Sequence, residues 1–176
     1  KLKVLIDTTP LTNANQDRGV GTYTRLLAQE LEKIPNIKLE RLTHQTAQGF
    51  KPDVVHYPCF DLFFPTLALR KKAKTVVTIH DLIPLKFPDH YKPGVKGELN
   101  WKRQQLSLKT VKKIITDSHA SKKDIVELLK IPSEKVEVVY LAGNPDIEKA
   151  SDPTIKKVRQ HYRLPEEYIL YVGDIN

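Results

Sequence analysis

A shortage of sulfur excludes internal disulfides, because Cys59 is the single cysteine. No apolar signal region opens the sequence, and with the lone thiol this fits a reducing compartment. The expected location is the cytoplasm, with peripheral contact to the inner face of a membrane left open. Nor does any apolar run approach the roughly 20 residues that a bilayer-spanning helix requires. Low-complexity tracts are missing too, and 40% hydrophobic against 28% charged residues supply the apolar surface that offsets the entropy of folding. The six histidines and the cysteine show no metal-ligand spacing, so no metal is expected. A Gly-x-Ser-x-Gly elbow and a Gly-x-x-x-x-Gly-Lys-Ser/Thr loop are both lacking, which argues against a serine hydrolase and a P-loop enzyme. Acidic side chains are in deficit. With 21 of them against 29 basic ones, the net charge is +8, favouring an anionic partner: a nucleotide phosphate, nucleic acid or an acidic membrane surface.

What is present is an alternation of short β-branched runs with helical stretches, on a chain of 176 residues that can bury one sizeable core plus an appendage. Val4-Leu5-Ile6, Val54-Val55, Val76-Val77-Thr78-Ile79, Ile114-Ile115-Thr116 and residues 136–140 are continuous runs ending in polar or turn residues. That is how strands buried on both faces of a parallel sheet read. Residues 38–43 predict a further strand, placed at an edge by the alternation of Leu39 with Arg41. Between Gly21 and Ile34, Tyr23, Leu26, Leu27, Leu31 and Ile34 share one helical face. Ser121 and Asp124 have capping spacing ahead of a helix over about 122–130, stopped before Pro132. Gly143-Asn144-Pro145-Asp146 is turn chemistry, Asp152-Pro153 opens another helix, and 168–173 reads as one more buried strand. The expectation is a Rossmann-like three-layer α/β domain with a mostly parallel sheet over 1–145. A connector over 146–167 and the first strand of a second domain over 168–176 follow.

Several residues could carry chemistry. The loop after the first strand ends in Arg18-Gly19-Val20-Gly21-Thr22-Tyr23, directly before a helix. Glycines there let backbone N–H groups approach an anion at a helix N-terminus, a diphosphate for example, or they merely permit a tight turn. Thr24 and His44 stand where a dinucleotide fingerprint needs a third glycine and an acidic residue, so a nicotinamide enzyme fits poorly. His80-Asp81 ends a central strand, at the edge where open α/β sheets place ligands. The imidazole can bond a sugar or phosphate oxygen, and Asp81 could fix its tautomer; the bland reading is a loop-capping pair. His56-Tyr57 and Ser118, His119 and Ser121 end neighbouring strands and should line the same crevice, with helix capping the competing role for the serines. Phe60, Phe63 and Phe64 ahead of Arg70-Lys71-Lys72 read as core packing of a short helix or as a membrane contact. Lys92, Lys96, Lys102, Arg103, Lys109, Lys112 and Lys113 face only Glu98, either as a solvated helix face or as a contact to anionic lipid or acceptor.

In this order the motifs resemble the N-terminal domain of family 4 glycosyltransferases, bacterial mannosyltransferase-like members in particular. The segments that carry the resemblance are Gly19-Val20-Gly21-Thr22-Tyr23-Thr24, residues 77–84 with Phe87-Pro88, and residues 116–125 continuing to Val139-Tyr140. Residues 168–173 resemble the first strand of the second domain in that family. The resemblance implies the acceptor-side half of a two-domain GT-B fold. The implied enzyme transfers a hexose from a nucleotide diphosphate sugar to a glycan or lipid-linked acceptor, retaining anomeric configuration, in surface polysaccharide assembly. It further implies no metal or other cofactor, Gly19, Val20 and Gly21 on the donor diphosphate, and His80 with Asp81 in the catalytic role. Tyr57 and Ser118 would lie toward the acceptor, whose choice would rest in loops such as 45–51. The donor-binding half would lie beyond residue 176, leaving the isolated chain inactive. Rival readings are a non-catalytic α/β module holding an anionic glycolipid or polymer, and nucleic-acid binding through the basic helix; no nucleic-acid partner is expected.

Overall fold

The computed structural model describes residues 1–42, 50–71 and 73–172. The 45–51 loop expected to select the acceptor thus lies almost wholly outside the described residues. Six strands, β1 (Leu2–Asp7), β2 (Ile37–Leu42), β3 (Val54–Tyr57), β4 (Lys74–Thr78), β5 (Lys113–Thr116) and β6 (Val136–Val138), form one sheet in the order β2-β1-β3-β4-β5-β6. Every neighbouring pair is parallel. The half-wet run at 38–43 is indeed an edge, β2.

Parallel neighbours need crossovers, and the helices supply three of them: α1 (Gly19–Glu32), α3 (Gly94–Lys109) and α4 (His119–Leu129), with a one-turn α2 (Ile83–Lys86) ahead of α3. From β1 the chain steps outward to β2, whereas from β4 it steps the other way to β5 and β6. Right-handed crossovers therefore put α1 on one face of the sheet and α3 with α4 on the other. The packing agrees. Val55, Tyr57, Leu67, Val77, Ile79, Leu108, Ile114, Ile125 and Val136 form one buried cluster on the α3/α4 side. Val4, Ile6 and Ala28 are buried outside that cluster. This is a Rossmann-like three-layer domain, consistent with the N-terminal half of a GT-B fold. The reversal of strand order falls between β1 and β3, where ligands dock beyond the strands' carboxyl ends.

Two local expectations need correction. The helix after β5 starts one turn earlier than the Ser121–Asp124 spacing suggested. Ser118 is its N-cap, accepting from the Ser121 N–H at 3.0 Å. The aromatic stretch after β3 is irregular rather than helical. Asp61 Oδ1 accepts from the N–H groups of Phe63 and Phe64, an Asx turn that diverts the backbone. The buried amide of Gln104 on α3 then fastens the segment, accepting from Leu67 N–H and donating to the Asp61 and Phe64 carbonyls and the Thr66 hydroxyl. Phe60 is buried, as core packing requires, and Phe64 is exposed.

Residues Lys1–Leu141 form one compact unit and Ala142–Asn176 a second. The second contains α5 (Asp152–Tyr162), with Pro153 in its first turn and Arg163 in the left-handed conformation at its end. Residues 168–172, read from sequence as a buried strand, form no regular element, and their side chains are exposed.

Candidate functional site

Successive residues of a strand point to opposite faces, so the register of β3, β4 and β5 decides which polar groups meet. His56 pairs with Val76 and Thr78 with Ile115, and the Ile79 N–H still bonds the Ile115 carbonyl beyond the ladder. One step further His80 comes level with Asp117. Both project to the α1 side, with Thr78 and His56 behind them.

The His80 ring is held at both nitrogens. Nδ1 lies 2.6 Å from Asp117 Oδ2, and Nε2 lies 3.1 Å from the Pro58 carbonyl. A carboxylate and a carbonyl are both acceptors, so whichever ring nitrogen carries a proton donates it to one of them. Tyr23, in the first turns of α1, meets His80 edge-on at 4.9 Å between centroids. Its hydroxyl lies 3.2 Å from Thr78 Oγ1, which in turn lies 2.9 Å from His56 Nε2. Burial first, and then the neighbouring charge of His80, push the His56 imidazole down to about 4, so it is neutral at pH 7. The Tyr23 phenol is pushed up by burial, with Asp117 adding and the Thr78 hydrogen bond opposing. Asp117 Oδ1 is buried and without a hydrogen-bond partner among the described residues, and so is Thr116 Oγ1, which as its neighbour on the strand points to the opposite face.

The glycines divide between the two roles proposed for them. α1 begins at Gly19, with Arg18 as an extended N-cap and no side chain capping it; its first backbone bond runs from Thr22 N–H to the Arg18 carbonyl. The N–H groups of Gly19, Val20 and Gly21 thus precede the helical ladder and carry the partial positive charge of the helix start. A Cβ on Gly19 would meet nothing within 4 Å, so that position is open to a ligand. A Cβ on Gly21 would sit 2.3 Å from the Asn15 and Gln16 carbonyl oxygens, so its need is steric, the loop lying directly on the helix.

The remaining sequence candidates are employed elsewhere. Asp81 does not touch the imidazole; its Oδ1 caps α2 through the Ile83 N–H at 3.0 Å. Ser118 both accepts from the Ser121 N–H and donates to the Ser121 hydroxyl, using up its capping geometry. Tyr57 points to the opposite face, into the α3/α4 cluster, its phenol pushed up by burial and by Asp7, with a backbone hydrogen bond from Ala68 opposing. Cys59 is partly buried, and that burial first, with Asp61, Asp7 and Asp81 adding, pushes its thiol up to about 11. Asp117, Thr78 and Tyr23 are what sequence reasoning missed. The signal available for Asp117 was its position two residues beyond Ile115, as His80 stands two beyond Thr78.

A family model described as Glycosyltransferase Family 4 matches residues 35–146. The chain is also 28% identical over 174 residues to the O-antigen chain mannosyltransferase B of Escherichia coli. That match covers 96% of this chain and 44% of the relative, so the chain spans less than half of the relative's length.

Proposed function

Because the chain belongs to glycosyltransferase family 4, we propose that it is the acceptor-side half of a retaining enzyme that moves a hexose from a nucleotide diphosphate sugar to a hydroxyl of a glycan or lipid-linked acceptor. The mannosyl chemistry in the name of its O-antigen relative makes mannose the first donor sugar to try and polysaccharide assembly the first setting. In this reading residues 168–172 belong to the opening strand of the donor-binding half, and residues 146–167 connect the halves.

One observation carries the reading: the His80 imidazole is fixed by Asp117 and Pro58 against Tyr23, in the helix whose open N-terminus starts at Gly19. The N–H groups of Gly19 and Val20 are assigned to the diphosphate, which backbone donors can hold without a metal. With both ring nitrogens engaged by Asp117 and the Pro58 carbonyl, His80 is assigned to line the site of the reacting sugar and its phosphate as a preoriented side chain. The backbone donors of the helix start stabilise the charge that grows on the departing diphosphate, and their preorganisation avoids a reorganisation cost in the transition state. The leaving phosphate itself takes the acceptor's proton on the same face of the sugar, so no protein nucleophile is required.

The test is His80→Ala in the full-length enzyme, assayed with a panel of nucleotide diphosphate sugars that includes a mannosyl donor. Turnover should fall by about 10²-fold or more while the melting temperature holds. Unchanged turnover would remove His80 from the reaction, and absence of transfer by the unsubstituted enzyme with every donor would favour a non-catalytic binding module.

A further inference from the structure

Helix α3 is apolar on the wrong side. At 100° per residue, Val95, Leu99 and Leu106 fall within about 40° of one another, and the buried Gly97, Gln104 and Leu108 lie about 180° away. The three outer side chains are 87%, 70% and 58% exposed. A helix that only covers a core would carry polar residues there. Lysines and an arginine flank the stripe on both sides, Lys102 and Lys109 along one margin and Lys96 and Arg103 along the other, against the single acidic Glu98.

Where α3 ends, the stripe runs into a groove. Leu106 and Ile131 lie in its lining, together with Lys102, Lys109, Lys130 and Lys135, and its volume is about 650 Å³. Since α3 and α4 end where β5 and β6 begin, this groove sits at the amino edge of the sheet, the far end from His80.

We infer that the outer face of α3 and the adjoining groove dock the protein on an anionic lipid surface. The apolar stripe enters the headgroup region, its flanking cations meet lipid phosphates, and the groove lysines receive a headgroup. Charge complementarity selects this occupant over a neutral bilayer or a second copy of the same basic face, which would repel itself. None of the described helices is long and apolar enough to cross a membrane, so the contact is one of surface. The inference does not depend on the assignment of His80, because lipid binding is read without turnover.

Sedimentation of the chain with phosphatidylcholine vesicles, with and without phosphatidylglycerol, tests it. Binding should be about tenfold or more stronger to the anionic vesicles, and should weaken as salt rises. Leu99→Glu with Leu106→Glu, and separately Lys102→Glu with Lys109→Glu, should each lower it by about tenfold with the circular dichroism spectrum unchanged. Lys156→Glu with Lys157→Glu on α5 should leave it as it was. If the glutamate pair impairs folding, Leu99→Gln replaces it, with a smaller loss expected in the same direction. Equal binding to both vesicles, no binding to either, or insensitivity to the α3 variants would overturn the inference. So would a concentration-dependent dimer that Leu99→Glu dissociates, or an acidic protein that displaces no lipid.

Discussion

At the carboxyl rim of the sheet, residues of the same strands lead opposite lives on the two faces. Toward α1, His56, Thr78, His80 and Asp117 join with Tyr23 in one connected polar array. Toward α3 and α4, Tyr57 is packed in the core and Ser118 is spent on a helix start. The difference is the pleat. Whether a polar residue near a strand end is free for chemistry depends less on its height in the sheet than on the parity of its position, which sends His80 and Asp117 toward α1 and Tyr57 away from it.

The sharpest way to break this contrast is at the array itself. Asp117→Asn in the full enzyme keeps the size of the side chain but removes the charge opposite His80. Turnover should drop by about 10²-fold, and its loss should exceed that from Asp81→Asn by at least tenfold; equal effects would erase the distinction between the two carboxylates. Next is acid sensitivity. His56 has a folded value near 4 against an ordinary 6.5, so the unfolded chain binds the extra proton between those limits. Stability should be full above about pH 6.5 and decline by up to about 3 kcal/mol as pH falls toward 4, a slope that His56→Gln should flatten in urea titrations. Third, Gly21→Ala should cost about 1–3 kcal/mol by overpacking, whereas Gly19→Ala should stay within about 0.5 kcal/mol while weakening donor binding. Smallest is Ser118→Ala, which should cost about 1 kcal/mol in a melt and leave the Michaelis constant for acceptor alone; a raised constant would return this residue to the site.

Much of the architecture was legible because buried parallel strands are written as uninterrupted apolar runs: the five such runs between residues 4 and 140 became strands, whereas the run beginning at 168 did not. The edge position of β2 was readable from Arg41 beside Leu39. Pairwise contacts were not legible. Asp117 reads as a turn residue until the register of β4 against β5 is known, since a shift of one position would have turned it away from His80. Asp81 was the natural partner by adjacency, yet neighbours on an extended chain diverge. The start of α4 was misplaced because Ser118 and Ser121 offer the same hydroxyl chemistry three residues apart, and the irregular 60–71 stretch was misjudged because its aromatics are held by an amide from a helix distant in sequence.

That amide has a mechanical meaning. Gln104 fastens the stretch around Asp61, Phe64 and Leu67, and the same stretch begins at Pro58, whose carbonyl grips His80. A strut therefore runs from the inner face of α3 to the imidazole on the other side of the sheet. Any tilt of the helix would have to drag its tether along, so whatever steadies one end stiffens the other.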